Sequence, residues 1–441
     1  METEELKIRY AHTYLCGHLN TEKNAEEVLG SDARWQRQVL DEEQYREACN
    51  YYYESFVDSL VETGQHKPQG VYSGTAHLVM RLDLACSLQH DRFGGDGWPL
   101  TLCSLHLFFL PYRICLFAIE IDEKAGCQPD GLTLAHSLLR EVNNYDSYRA
   151  EGRMKAYLDG IQPLLDVCRV TDWLGKTVHE PHYSDLVCTG NKLKAFQIVG
   201  ANRLSDELLY ELGTMSPIGC VDNHAHGMSP SQSYYEAVMA QNSVSAFRNW
   251  KALALFDSFT VLGLLDKPDA WKWWRDSYFR FIYIHALYQK TQLFVVNNRF
   301  RSDAADGKCG GLLQQMKDQE HWYAFSNISY NFLPQLIYKS IDTGLEIASE
   351  REQLHHYLVQ EAERQDMLGE RRIGKLIVAL TLLTVFSALY DGTSLVCDTF
   401  GILSGTATYR RVAGCLLGVV VLIFLVWGIW AYCNRRRRNG L

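Results

Sequence analysis

This chain lacks several patterns that would assign it to a common class of protein. Its thirteen cysteines form no Cys-x-x-Cys pair, which favours free thiols in a reducing compartment over a disulfide framework or a zinc cage. No Gly-x-Gly-x-x-Gly, Walker, Gly-x-Ser-x-Gly or His-Glu-x-x-His motif occurs, so we predict that the chain is not an enzyme. The acidic start of the chain, residues 1–5, predicts no secretory signal.

The chain also has little positive charge outside its last residues. Its formal net charge is −9, although residues 435–438 are four arginines. No basic stripe is therefore left to displace counterions from phosphates. We predict no nucleic-acid partner.

Long apolar runs are concentrated near the end of the chain. Residues 412–433 hold no charged side chain and, at ~1.5 Å per residue, are long enough to cross a hydrocarbon core of ~30 Å. Residues 373–396 form an earlier apolar run that contains Lys375 and Asp391, and a buried soluble helix is the alternative for this run. Because two crossing helices satisfy their backbone amides inside lipid, we predict a transmembrane hairpin in a lipid bilayer.

The basic residues predict the orientation of this hairpin. Arg364, Arg371 and Arg372 precede the first predicted span and Lys375 lies at its start, four arginines follow the second span, and the connecting loop contains only two basic residues. By the positive-inside bias, both termini face the cytoplasm. We therefore predict a multi-pass protein of the cell (inner) membrane.

The sequence before the spans mixes strand and helix signals. The apolar runs 102–110 and 113–121 on either side of Pro111 predict a β-hairpin, and Ser205 is a predicted N-cap for a helix over 205–215. We predict an α+β fold with a mixed α/β cytosolic domain around a central sheet, a long stalk helix and two C-terminal transmembrane helices. The predicted parts are a cytosolic α/β domain (1–265), a helical hairpin packing on the stalk (266–340), a cytosolic stalk helix (341–372), transmembrane helix 1 (373–396), an external loop (397–411), transmembrane helix 2 (412–433) and a basic cytosolic tail (434–441).

The predicted stalk belongs to a helix of unusual length. No proline follows Pro334, and apolar residues recur at mostly three- and four-residue spacing among Glu, Arg and Gln, which is typical of an amphipathic helix. If residues 341–390 form one helix, its length is ~75 Å at ~1.5 Å per residue. A rod of that length must pack against the body or against copies of itself, so we expect a homo-oligomer.

Polar residues lie on one side of the first predicted span. On a helical wheel at about 100° per residue, Thr381, Thr384, Ser387 and Asp391 fall within roughly one third of the circumference. A polar stripe at membrane depth usually faces a bundle interior or water, so we predict a pore lined by these residues, with Asp391 concentrating cations at its mouth. The alternative is that the hydroxyls bond back to helix carbonyls and that Asp391 lies among lipid headgroups.

The arrangement of two C-terminal spans, a long helix entering the first and a mixed α/β body in front resembles the CorA family of magnesium and divalent-cation transporters. The family has Tyr or Phe followed by Gly-Met-Asn at the end of its first span. This chain has Tyr390, Asp391, Gly392 and Thr393 there, and Tyr390 carries over directly. The resemblance implies a homopentamer whose pore is lined also by Tyr390 and Gly392. It implies no resident cofactor, with Mg²⁺ or another divalent cation as the transported or regulatory ion and Asp391 as the candidate metal contact.

Divergent members of this family without Gly-Met-Asn also resemble membrane effectors of type III CRISPR antiviral defence. In that alternative, a nucleotide second messenger bound by the cytosolic domain opens the membrane part. No stretch of the sequence predicts the binding site for such a ligand.

Two loops carry residue types that bind transition metals. One holds His179, His182 and Asp185, and the other holds Asp222, His224 and His226. Neither forms a closed ligand set, and solvated loop histidines are the alternative.

Overall fold

The computed structural model describes residues 5–63, 74–95, 97–123, 128–169, 181–186, 192–223, 227–264, 268–306 and 309–400. The chain divides into two compact units, Met1–Ala362 and Glu363–Leu441. Within the described ranges, the fold is a mixed α+β fold with a central mixed sheet and long C-terminal helices.

Nine strands form the sheet of the first unit. They are β1 (Ile8–Leu19), β2 (Gln36–Arg37), β3 (Ala76–Leu88), β4 (Trp98–Leu110), β5 (Ile114–Glu123), β6 (Lys194–Ala201), β7 (Ser243–Phe247), β8 (Trp250–Ala254) and β9 (Ser258–Gly263). Their order across the sheet is β2-β3-β4-β5-β1-β6-β9-β8-β7. Neighbours among them are antiparallel except β6 and β9, which are parallel.

The helices are α1 (Ala25–Ser31), α2 (Glu42–Tyr51), α3 (Glu54–Asp58), α4 (Pro129–Arg140), α5 (Tyr145–Ala150), α6 (Lys155–Leu165), α7 (Asp206–Thr214), α8 (Gln232–Asn242), α9 (Pro268–Trp273), a π-helix (Trp274–Tyr283), α10 (Ile284–Asp306), α11 (Cys309–Tyr323), α12 (Phe332–Gly344) and α13 (Ile347–Phe400). Short 3₁₀ turns occur at Asp91–Phe93, Pro111–Arg113, Val142–Asn144 and Tyr183–Asp185.

The sheet separates two hydrophobic cores. Apolar side chains of α1 and of α4 to α8 pack in one core, and those of α2, α3, the π-helix, α9 to α12 and the start of α13 pack in the other. Alternation along β5 shows why both faces are covered. Phe117 and Ile119 enter the first core, whereas Leu116 and Ala118 enter the second.

Two local predictions are confirmed. The predicted hairpin is formed by β4 and β5, which pair antiparallel through Leu110 and Ile114 on either side of the Pro111–Arg113 turn. Ser205 is the N-cap of α7, and its hydroxyl oxygen accepts a hydrogen bond from the backbone N–H of Leu208 at 3.2 Å.

Residues 341–390 do not form one uninterrupted helix. Helix α12 ends at Gly344 and α13 begins at Ile347, with Glu346 between them at a φ of 56°. A Cβ atom on Gly344 would lie 2.7 Å from the backbone of Ala254 in β8. Only glycine, which has no Cβ atom, allows the chain to approach the sheet this closely. From Ile347 the helix continues without a break to Phe400.

The second unit exposes apolar side chains around the helix. Leu376, Ile377, Val378, Leu380 and Leu383 of α13 are between 57% and 65% exposed. Three of these residues are consecutive, so the apolar surface is not confined to one face of the helix. Within the described residues, no helix meets the combined requirement of length and apolar character for a membrane crossing. The predicted second span, 412–433, lies outside the described residues.

Candidate ligand-binding cleft

A cleft of about 710 Å³ opens in the first unit, between the sheet and the π-helix. Strands β1, β3, β4 and β5 form its floor, and α2 contributes to its wall. The charged and polar residues that line it are Gln38, Gln44, Glu47, His77, Arg81, Ser104, His106, Glu120, Lys272, Arg275, Asp276, Ser277 and Arg280, with Tyr14 beside them.

Glu120 of β5 is the centre of a hydrogen-bonded cluster on the cleft floor. The sheet register places Tyr14 of β1 and Ser104 of β4 directly opposite it, and neighbours at that distance interact directly. The Tyr14 hydroxyl donates to Glu120 at 3.0 Å, and the Ser104 hydroxyl also donates to this carboxylate. His12 Nε2 and His106 Nε2 lie 3.1 and 3.2 Å from its oxygens.

These contacts determine the charges in the cluster. Burial raises the pKa of Glu120, but the hydrogen bonds from His106 and His12 outweigh it and hold that pKa far below its usual range. Burial also lowers the pKa of His12, and the hydrogen bonds to Asp122, at 2.6 Å, and to Glu120 raise it to about 9. The cluster therefore holds a buried His12 cation between two carboxylates at neutral pH.

The His12 pKa gives a first prediction. Because the folded pKa of about 9 lies above the usual 6.5, the protonated ring stabilises the fold fully below pH 6.5, and this stability is lost as the pH rises through 9. We expect a loss of up to about 3 kcal/mol across that window. Thermal unfolding between pH 6 and 10 measures it. His12→Asn removes the titrating ring, so this variant should not lose the same stability between pH 6 and pH 10. A loss as large as that of the wild type would contradict the assignment of this pH dependence to His12.

Ser104, His106 and His77 form a chain that lacks the geometry of a nucleophilic triad. Ser104 Oγ lies 2.8 Å from His106 Nε2, and His106 Nδ1 lies 3.0 Å from His77 Nε2. In a Ser-His-acid triad the carboxylate binds the ring nitrogen that faces away from the serine. In this cleft Glu120 contacts the same Nε2 atom as Ser104. The cluster therefore organises polar groups on the floor without activating Ser104 as a triad would.

The π-helix supplies two arginines to the opposite wall. Arg275 and Arg280 are five residues apart; in an α-helix, at about 100° per residue, they would point ~140° apart. The i to i+5 bonding of a π-helix widens each turn and brings such residues onto one face, and both side chains line the cleft. Burial lowers the pKa of Arg280 to about 10.

Neither arginine is fully hydrogen-bonded. The buried Nε atoms of both residues and the Nη2 atom of Arg280 have no hydrogen-bond partner in the described part of the chain. The Arg280 guanidinium carbon lies 5.9 Å from the centroid of the Phe281 ring, which supplies stacking but accepts no N–H bond in the guanidinium plane. Unpaired buried donors of this kind are costly.

The residues predicted to line a pore lie on α13 of the second unit. Thr381 and Thr384 donate hydrogen bonds to the carbonyls of Ile377 and Leu380, at 2.8 and 3.1 Å, which is the back-bonding expected from the alternative interpretation of this stripe. Ser387, Asp391 and Gly392 are exposed, and the side chain of Tyr390 is outside the described part of the chain. Back-bonded hydroxyls retain oxygen lone pairs, so their role as pore lining stays a prediction.

The candidate metal loops are described only in part. His179, His224 and His226 lie outside the described residues. The backbone N–H of His182 donates to the Asp185 carboxylate at 2.8 Å, as in a turn cap. Among the residues that the structure describes, no three His, Cys, Asp or Glu side chains are arranged to hold a metal ion.

Sequence reasoning missed the cleft. Its signal was available in the strands, where polar residues alternate with apolar ones as His12 and Tyr14, Ser104 and His106, and Glu120 with Asp122. Polar residues with a period of two inside otherwise apolar strands indicate a polar patch on one sheet face. Neither a protein-family model nor a curated protein matches this chain.

Proposed function

We propose that this chain is a membrane protein that assembles into an oligomeric, CorA-like cation channel or transporter. In this proposal residues 373–396 and 412–433 cross the bilayer, and the first span lines the pore. The observation that carries it is the exposed apolar surface of α13, where Leu376, Leu380 and Leu383 are each more than 60% exposed. A continuous apolar surface of this kind needs either lipid or other copies of the helix to cover it.

The back-bonded threonines are compatible with this location. A hydroxyl inside a bilayer needs an acceptor, and the carbonyls of Ile377 and Leu380 supply one to Thr381 and Thr384. Exposed Asp391 follows about two to three turns later on the same helix. A ring of such carboxylates around a symmetry axis would attract cations to the pore entrance.

Replacing Asp391 with Asn tests the pore. We expect Asp391→Asn to lower divalent-cation flux into liposomes by about tenfold, because a ring of carboxylates raises the local cation concentration by at least that factor. Asp366→Asn is the matched control, since Asp366 is also an exposed aspartate of α13 but precedes the apolar run. Equal flux through wild type and Asp391→Asn would remove the carboxylate ring from the proposal.

The cleft favours a second candidate, in which the channel opens only when the first unit binds a ligand. Its volume of about 710 Å³ lies within the range of small-molecule sites. Flux without any added ligand would exclude ligand gating but would still support the proposed channel. Flux that appears only after addition of an organic phosphate would favour the gated form.

A further inference from the structure

The cleft is lined by more cationic side chains than carboxylates, four against three. Four cationic side chains line it: Arg81, Lys272, Arg275 and Arg280. Among the described residues, none of these four forms an ion pair within 4.0 Å.

Coulombic attraction from Asp276 acts on both Arg275 and Arg280, and that from Glu120 acts on Arg275, but in the described part of the chain no carboxylate of the cleft forms a close ion pair with either arginine. Glu120 is already bound by His12, His106 and two hydroxyl donors. Asp276 and Glu47 also line the cleft, but neither makes an ion pair with the arginines in the described part of the chain. One wall of the cleft therefore carries guanidinium groups with unpaired N–H donors, and its floor carries hydroxyl and imidazole groups.

We propose that this cleft binds a phosphate-bearing organic anion of about nucleotide size, held by Arg275 and Arg280. The planar guanidinium fork matches phosphate oxygens with paired, charge-assisted hydrogen bonds. Three buried nitrogen atoms without partners show that the protein alone does not satisfy these two guanidinium groups in the described part of the chain, and both side chains line the cleft. The π-helix places both forks on one face, and π-helical turns are frequent at functional sites.

The size of the cleft separates this ligand from a simple ion. A volume of about 710 Å³ far exceeds that of a single phosphate and is in the range of drug-sized ligands. The proposal that the cleft binds this ligand is based on the geometry of the first unit. Only the role of the ligand as a channel stimulus rests on the proposed function.

Binding is tested on the full-length chain in detergent with tripolyphosphate and ATP as probes, each without divalent cations. Isothermal titration should give saturable binding of at least one probe to the wild type, and thermal unfolding should show a matching rise in Tm. Binding of both probes assigns recognition to the phosphates, and binding of ATP alone shows that the cleft also contacts the rest of the nucleotide. No binding of either probe at millimolar concentration overturns the proposal.

Arg280→Met distinguishes a ligand site from a structural arginine. We expect Arg280→Met to weaken binding of the probe by at least tenfold and to raise the Tm of the unliganded protein by about 2 °C, because a partly buried cation with unpaired N–H donors is removed. Arg140→Met is the matched control. Arg140 is more deeply buried than Arg280, but it forms an ion pair with Asp257, with Nη2 2.9 Å from Oδ2, and its Nε donates to the Leu193 carbonyl, so its loss should lower Tm and leave binding unchanged.

The outcomes decide the proposal separately from channel activity. Unchanged binding to Arg280→Met, or a lower Tm of that variant without any loss of binding, overturns the assignment. If Arg280→Met does not fold, Arg280→Lys keeps the charge but loses the fork, and it should still weaken binding by about tenfold. Probe binding without any flux in liposomes would leave this site in place and contradict only the proposed channel.

Discussion

Two arginines placed in the apolar run of α13 should prevent its insertion into the membrane. Leu380 and Leu383 are 61% and 65% exposed and lie near the middle of the proposed span 373–396. Each arginine at the centre of a span costs about 2.5–3.5 kcal/mol of insertion free energy. The double variant Leu380→Arg/Leu383→Arg therefore loses about 5–7 kcal/mol, enough to shift the segment from inserted to excluded.

Labelling of Cys397 measures this insertion, because Cys397 lies in the predicted external loop 397–411. In intact cells, a membrane-impermeant maleimide should label Cys397 of the wild type and not of the double variant, with Cys397→Ser as the blank. Tyr357→Arg/Met367→Arg is the matched control, since both residues are exposed on α13 before the apolar run. Labelling that is equal in the double variant and the wild type would contradict the span.

Loss of the His136 side chain should strongly destabilise the first unit. His136 Nε2 lies 2.6 Å from Glu123 Oε1, and both side chains are 1% exposed. His136 Nδ1 lies 3.0 Å from Gln197 Oε1 of β6. In His136→Leu the Glu123 carboxylate would remain buried without its partner, and breaking a buried pair in this way costs about 3–5 kcal/mol.

A double-mutant cycle separates this pair from simple packing. Because an apolar pair of similar volume removes the buried carboxylate altogether, Glu123→Leu/His136→Leu should recover most of the stability lost in His136→Leu. Unfolding free energies from urea titration of the four proteins give the coupling. If the losses of unfolding free energy in Glu123→Leu and His136→Leu simply add in the double variant, the two side chains are not coupled. That result would contradict a role for the pair.

Local chemistry explains which parts of the fold were predictable. Pro111 between two apolar runs and Ser205 before an amphipathic stretch act through their immediate neighbours, so the hairpin and the α7 cap follow from short segments. The helix break at Glu346 does not follow from a short segment of sequence. It depends on the contact between Gly344 and the backbone of Ala254, which are far apart in sequence.

The cleft escaped prediction for the same reason. Its residues come from β1, β3, β4, β5, α2 and the π-helix, and only the strand order and register bring Tyr14, Ser104 and Glu120 together. The arginine pair is even harder to predict from the sequence. Arg275 and Arg280 diverge on an α-helical wheel, and they share a face only because the segment forms a π-helix.

Cysteine accessibility within the first span tests the proposed pore most directly. Thr384 and Leu383 are adjacent residues of α13, both exposed, and a pore lined by the polar stripe requires Thr384 to face water and Leu383 to face lipid. In liposomes, a hydrophilic thiol reagent should block cation flux through Thr384→Cys and leave flux through Leu383→Cys unchanged. Block of Leu383→Cys with Thr384→Cys unaffected, or no effect on either variant, would contradict a pore lined by this helix.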